Sequence, residues 1–228
     1  MKAIGFTHSL GIDETQSLFE FDVPDPVANG RDLLVDVKAV SVNPADAKRR
    51  IRTAVDTPHE APLVLGYDAV GVVAAVGSDV TNFAVGDEVW YAGDPTRSGS
   101  NAQRQLVDER VVGRKPKNLS WAEAAAMPLT GLTSFEMLFD RFCITEGSGK
   151  GKSLLVIGGA GGVGSLTIQL ARKLTDLTVI ATASRPETAE WCREMGAHEI
   201  VDHRDLIAEV QGKGFDTVEY IANYADTS

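Results

Sequence analysis

Leu154-Leu155-Val156-Ile157 runs directly into Gly158-Gly159-Ala160-Gly161-Gly162-Val163-Gly164, and the chain then takes on helical periodicity over Ser165–Leu174. A buried apolar strand, a glycine-rich bend and a helix in that order constrain the fold more than any other feature. Gly159, Gly161 and Gly164 fit G-x-G-x-x-G, a pattern that says little alone and gains meaning between a strand and a helix. Each glycine has an expected task. Gly159 permits the tight turn, Gly161 removes a Cβ so that backbone can approach a pyrophosphate, and Gly164 lets the helix pack close to the strand. The N–H groups of Gly162 and Val163 then face an anion from a helix N-terminus, aided by the helix dipole. The competing reading is a glycine-rich turn with no ligand, which leaves the entropic cost of so many glycines unexplained.

The chain around this loop alternates. Ser153–Ile157, Thr178–Thr182, Glu199–Val201 and Asp216–Ile221 read as strands, and Ser165–Leu174, Pro186–Met195 and Leu206–Gln211 as helices. Alternation of this kind predicts a parallel sheet covered on both faces. The nucleotide preference is set at the end of the second strand, where an acidic residue would hold an adenosine ribose. Thr182-Ala183-Ser184-Arg185 stands there instead, with no carboxylate before Glu187. Arg185 neutralises a 2′-phosphate and Ser184 donates to it, which favours NADPH over NADH. The alternative is that Ser184 caps the next helix and Arg185 is solvated.

The first half has a different texture. Leu33–Val40, Ala69–Val76, Glu88–Trp90 and Gln103–Leu106 are Val- and Leu-rich runs separated by turn residues, the pattern of a compact β-barrel-like domain. Near Ser120 this gives way to helix: Ser120-Trp121-Ala122-Glu123 is a capping box, and Pro128 should interrupt the helix it starts before a second helical stretch over Gly131–Phe142. The 228 residues carry a net charge of −10, which repels nucleic acid unless a local patch overrides it. The one short basic cluster, Lys48-Arg49-Arg50-Ile51-Arg52, reads as a solvated helix end, with RNA binding as the competing reading. Apolar runs are too short to span a bilayer and no signal-peptide core is present, so a cytoplasmic protein is expected. Cys143 and Cys192 are expected as buried, unpaired thiols.

Several stretches together resemble one superfamily. Val70-Gly71-Val72-Val73, Val76-Gly77 and Phe83-Ala84-Val85-Gly86-Asp87-Glu88-Val89 are similar to the GroES-like domain of medium-chain dehydrogenases/reductases. Ala126-Met127-Pro128-Leu129-Thr130-Gly131-Leu132-Thr133-Ser134 resembles their interdomain helix, and Gly159–Gly164 their cofactor loop. The resemblance implies a GroES-like β-barrel domain over 1–125 and a Rossmann domain with a parallel sheet over 126–228. About six strands complete such a sheet, so the Rossmann domain is expected to be incomplete and the chain truncated at its C-terminus.

Zinc enzymes of this superfamily hold their metal through a cysteine and through the histidine of a Gly-His-Glu segment. Here Ser41-Val42-Asn43-Pro44-Ala45-Asp46 has no cysteine, Gly66-Tyr67-Asp68 has tyrosine in the histidine's place, and the four-cysteine structural lobe is missing. No metal is expected. Asn43-Pro44-x-Asp46 instead resembles the quinone-oxidoreductase and enone-reductase branch. By that resemblance Asn43 lies near the nicotinamide and substrate, with its amide and the Tyr67 hydroxyl donating to a carbonyl that gains negative charge. Turn formation by Asn43 and core packing of Tyr67 are the competing readings, and Asp68 is expected as a structural carboxylate. Thr130 would contact the nicotinamide side of the cofactor, or merely cap a helix. The implied activity is NADPH-dependent hydride transfer to a quinone or α,β-unsaturated carbonyl, with a homodimer expected for the complete protein. The alternative is an NADPH-binding scaffold or sensor, or an inactive fragment, because no clear proton donor is present.

Overall fold

The structure is a computed structural model and describes residues 1–225. It divides into a unit over Met1–Leu129 and a second that begins at Thr130.

In the first unit β1 (Lys2–Phe6) pairs antiparallel with β2 (Phe19–Asp22) and with the short β4 (Leu63–Val64). The long strands β3 (Asp32–Val40) and β5 (Ala69–Val76) form the centre of a second antiparallel sheet. β7 (Arg104–Asp108) lies beyond β3, and β6 (Glu88–Tyr91) and β8 (Gly113–Arg114) lie beyond β5. Leu33, Val35, Ala69, Val73, Val89 and Val107 bury their side chains together on one face. The sheet is open rather than a closed barrel: its order ends at β7 and β8, which do not pair with each other. β8 has only two residues, too few to carry a ladder around to β7.

Local chemistry accounts for the helices of this unit. α1 (Pro44–Arg52) opens with proline at its first position and ends with Arg49, Arg50 and Arg52 in its last turn, a placement that complements the helix dipole. The basic cluster is therefore a helix end, and Arg50 is buried, donating from Nη1 to the Leu10 carbonyl at 2.8 Å. α2 (Trp121–Ala125) has the expected capping box: Ser120 Oγ accepts from Glu123 N at 3.3 Å, and Glu123 Oε2 accepts from Ser120 N at 2.9 Å. The helix that Ser120 opens stops at Ala125, before Pro128, as expected, but the next helix, α3 (Pro128–Glu136), starts at Pro128 rather than Gly131, because the missing N–H costs nothing at a first position. A π-helical turn over Met137–Arg141 extends α3.

The second unit is built on β9 (Ser153–Ile157), β10 (Thr178–Thr182), β11 (Glu199–Val201) and β12 (Tyr220–Asn223). All pairings are parallel, in the order β11-β10-β9-β12. The fourth strand starts later than Asp216–Ile221, the span its pattern suggests. α4 (Gly162–Leu174), α5 (Pro186–Glu194) and α6 (Leu206–Gly212) connect the strands. Two apolar layers cover the sheet. One gathers Leu154, Val156, Ile168, Val179, Ala181 and Cys192; the other gathers Leu155, Ile180, Val201 and Val210. Alternate strand residues thus serve opposite faces, as a sheet buried on both sides requires. Both cysteines are free, but Cys143 is exposed rather than buried, at the end of the helical stretch with φ of 53°.

No helix among the described residues is long and apolar enough to cross a membrane, and they contain no group of three or more His, Cys, Asp or Glu side chains that could hold a metal ion.

Candidate functional site

The strand order of the second unit reverses between β9 and β12, and ligands of open α/β sheets settle beside the strand ends at such a reversal. The loop that leaves β9 lies there. Its glycines divide their work differently from expectation. Gly158, not Gly159, makes the turn: its φ is +81°, a conformation that a Cβ would strain. Gly159 answers to packing, since a Cβ there would lie 2.9 Å from Ala181 Cβ and 3.1 Å from Cys192 Sγ. Gly164 behaves as expected, with a Cβ falling 2.3 Å from the Gly158 carbonyl oxygen. Gly161 is exposed, as is Gly162, and its nearest obstacle to a Cβ is the Gly158 oxygen at 3.3 Å. A Cβ there would be tight against that oxygen but far less crowded than one at Gly164.

Gly162 and Val163 are the first two residues of α4, with Gly161 as N-cap, so the helix's own ladder does not use their N–H groups. Neighbouring side chains hold the loop. Thr182 Oγ1 accepts from Gly158 N at 3.0 Å. Ser134 is fully buried on α3, its Oγ 3.0 Å from the Val163 carbonyl and 2.8 Å from that of Thr130. Its single proton serves one carbonyl at a time. Thr130 is itself buried, and its Cγ2 would lie 3.3 Å from a Cβ on Gly162. α3 therefore supports the start of α4, and Ser134, four residues after Thr130, is a positioning residue that the motif alone does not reveal.

A cleft of about 290 Å³ opens beside this loop, lined by Gly158, Ala160 and Gly161, by Thr182, Ala183, Ser184, Arg185 and Thr188, and by His203. Ser184 and Arg185 lie together there, both exposed. The N-cap of α5 is Arg185 rather than Ser184. Arg185 Nε lies 3.5 Å from Glu187 Oε1 with both side chains largely in solvent, a pair worth about 0–1 kcal/mol and easily exchanged for a stronger anion.

In the first unit Asn43 belongs to a buried polar cluster with Ser41 and Asp68. Asp68 Oδ2 accepts from Ser41 Oγ at 2.6 Å and from Asn43 Nδ2 at 2.8 Å, and Asp68 Oδ1 accepts from Leu129 N at 2.7 Å. Burial pushes the Asp68 carboxyl above its ordinary value, and these three hydrogen bonds, in that order, draw it back. Asn43 opens α1, where its backbone N–H donates to Asp46 Oδ2 at 2.8 Å. One amide hydrogen of Asn43 is committed to Asp68; for the other, Ser41 Oγ at 3.3 Å is a long partner. Tyr67 adjoins Asp68 and is half-buried. Asp68 lies 27 residues from Ser41 and 25 from Asn43, and only folding reveals the hydroxyl of Ser41 as part of the cluster.

An antiparallel β unit followed by an α/β unit with strand order of the dinucleotide-binding type defines a class of two-domain proteins. The sequence matches the alcohol dehydrogenase GroES-like domain over residues 29–135 and the zinc-binding dehydrogenase domain over residues 162–226. The chain belongs to the medium-chain dehydrogenase/reductase superfamily, among its zinc-type alcohol dehydrogenase-like proteins and quinone and enone oxidoreductases. A zinc-type alcohol dehydrogenase-like protein of Staphylococcus epidermidis is 46% identical over 232 residues, covering all of this chain and 67% of its own length. The NADPH-dependent alkenal/one oxidoreductase of Arabidopsis thaliana chloroplasts is 39% identical over 210 residues, covering 89% of this chain and 52% of its own. Among solved structures, a putative zinc-dependent alcohol dehydrogenase of Rhizobium etli superposes with a TM-score of 0.89 at 51% identity, covering 97% of this chain and 64% of its own. The chain spans about 65% of the length of its Staphylococcus aureus relatives.

Proposed function

We propose that this chain is the greater part of a reductase that uses NADPH, without zinc, to reduce a quinone or an α,β-unsaturated carbonyl. The observation that carries the reading is the cleft in which Ser184 and Arg185 sit beside bare backbone at Gly158 and Gly161, with no carboxylate at the ribose position. The name of the Arabidopsis relative supports both the nucleotide and the class of acceptor.

The residues fit the cofactor. Gly161 leaves open the space that a pyrophosphate needs, Gly162 and Val163 offer N–H groups at a helix start, and Gly159 and Gly164 keep that helix against the sheet. Ser184 and Arg185 take the 2′-phosphate, and Thr130 serves the nicotinamide side. Bound NADPH supplies the hydride from its nicotinamide C4. Asn43 donates its second amide hydrogen to the acceptor's carbonyl oxygen as negative charge gathers there, and Tyr67 assists from its hydroxyl. Asp68 fixes the Asn43 amide and is itself held by Ser41 and Leu129. The donor set of this cluster, a serine hydroxyl, an amide and a carboxylate already committed to three donors, is poorly matched to zinc, which favours thiolate and imidazole.

The test is direct. The protein, alone and extended to the length of its relatives, is mixed with NADPH or NADH and a panel of small quinones and enones, and loss of the reduced-nicotinamide absorbance is monitored. Faster oxidation of NADPH than NADH, unaffected by a zinc chelator, is expected. NADPH binding without turnover across the whole panel would instead favour the scaffold or sensor.

A further inference from the structure

We propose that Trp191 and Ser165 are positioning residues for the diphosphate loop: the indole N–H of one, acting through the hydroxyl of the other, fixes the direction of the Gly159–Ala160 peptide and ties the loop to α5. This rests on the cofactor reading above.

Ser165 is buried near the start of α4, one helical turn after the N-cap Gly161. Trp191 on α5 donates from Nε1 to Ser165 Oγ at 2.8 Å, although the rest of its ring system is partly open to solvent. A hydroxyl has one proton, and an incoming N–H turns that proton away from itself. The Ser165 proton is thereby left for the Gly159 carbonyl oxygen, 3.5 Å away. Without the indole, the hydroxyl would be free to swing back to the Gly161 carbonyl one turn earlier, as serines in helices do. Cys192, the next residue of α5, packs at the same place: its Sγ would lie 3.1 Å from a Cβ on Gly159. Two consecutive residues of α5 thus fasten the loop, one through Ser165 and one by direct packing.

The direction of the Gly159 carbonyl decides what the loop offers an anion. Its oxygen faces α4, where it would lie 2.8 Å from a Cβ on Gly164. A planar trans peptide holds its N–H opposite its C=O, so the Ala160 N–H points away from the helix. Ala160 lines the cleft with Gly158 and Gly161, and among the described residues no acceptor meets its N–H. If this peptide turned over, a carbonyl oxygen would replace that donor and repel a diphosphate. The link from Trp191 through Ser165 opposes the turn. α5 also begins at Arg185, to which the cofactor reading gives the 2′-phosphate, so one helix is tied to both phosphate positions.

The experiment is calorimetric titration of the full chain, Trp191→Phe, Ser165→Ala and the double variant with NADPH, NADH and 2′-AMP, each well below its melting temperature. Trp191→Phe keeps an aromatic ring and loses the N–H. Each single substitution should weaken NADPH and NADH alike, about threefold to tenfold, and the double variant should bind no more weakly than the weaker single one. 2′-AMP, which has no diphosphate, should bind wild type and variants equally. Lower melting temperatures with wild-type affinity for both dinucleotides would mean that the bond serves stability alone, and would overturn the proposal. Losses of affinity that add in the double variant would overturn it as well, because the two side chains would then act separately. In either case NADPH binding by the wild type leaves the cofactor reading standing. If the wild type binds neither dinucleotide, both fall.

Discussion

The Asn43 amide nitrogen lies 2.8 Å from Asp68 Oδ2, so the side chain expected to meet substrate is held by a buried carboxylate from a different strand segment. The same carboxylate takes the N–H of Leu129, the second residue of α3. One side chain thus settles both the orientation of an amide and the start of a helix.

Asp68→Ala leaves the Ser41 hydroxyl, the Asn43 amide and the Leu129 N–H without an acceptor. A loss of about 3 kcal/mol is expected, since an unsatisfied buried polar group costs about 1–3 kcal/mol. Asp68→Asn retains one carbonyl oxygen and costs less. Urea unfolding of both variants measures the difference, and equal stability of Asp68→Ala and wild type would sink the account of this cluster.

Two glycine substitutions separate folding from binding. Gly164→Ala puts a Cβ against the Gly158 carbonyl and should lower the melting temperature and disturb the loop. Gly161→Ala brings a Cβ to 3.3 Å from the Gly158 oxygen, which a shift of about a few tenths of an ångström relieves, and its backbone angles, φ −73° and ψ 169°, are ordinary, so the fold should tolerate it far better than Gly164→Ala. Its methyl group nevertheless enters the space assigned to the pyrophosphate. The expected result is a near-normal melting temperature with NADPH affinity reduced at least tenfold; undiminished affinity contradicts the assignment.

Arg185→Ala should weaken NADPH by roughly tenfold or more and leave NADH almost unchanged, because a charge-assisted bond to phosphate is worth about 1.5–3 kcal/mol and the unphosphorylated ribose makes none. The surviving affinity for NADPH should also depend less on added salt. Fluorescence titration of the reduced nicotinamide reads both effects.

Glu109 gives the first unit a dependence on acid. It is buried and accepts from Asn82 N at 2.8 Å, Thr81 N at 3.0 Å and Arg31 Nη1 at 2.8 Å. The Asn82 N–H above all, with Thr81 and Arg31, holds its carboxyl below the ordinary value of 4.5 against the opposing effect of burial. A depressed carboxylate contributes its full stability above the unfolded value and loses it as pH falls through the folded one. Glu109→Gln should therefore melt lower than wild type near neutral pH, with the gap closing in acid. A melting-temperature gap that stays constant from neutral pH into acid would rule this out.

The alternating half of the chain was legible because its signals are local. Val- and Leu-rich strands, Pro186 opening α5 and the glycines after Ile157 each act within a few residues, and β9, β10, β11 and α5 lie close to where their patterns put them. β1 and β2 escaped notice, and of α1 only the basic end was read. Phe19–Asp22 is a half-exposed edge strand with little apolar pattern, and α1 is a polar helix whose basic end looks like surface charge.

Sequence alone determined the two-part architecture, the glycine-rich loop between strand and helix and the lack of an acidic residue between Thr182 and Glu187, since strand, turn and helix preferences are properties of short stretches. Tertiary structure decided which glycine turns and which packs, because Gly159 is constrained by Ala181 and Cys192, residues that reach it only across the folded core. It also decided that Ser41, Asn43 and Leu129 share the carboxylate of Asp68, and that Ser134 supports Val163. A buried polar group must find partners wherever the fold brings them, and distance along the chain carries no record of that choice.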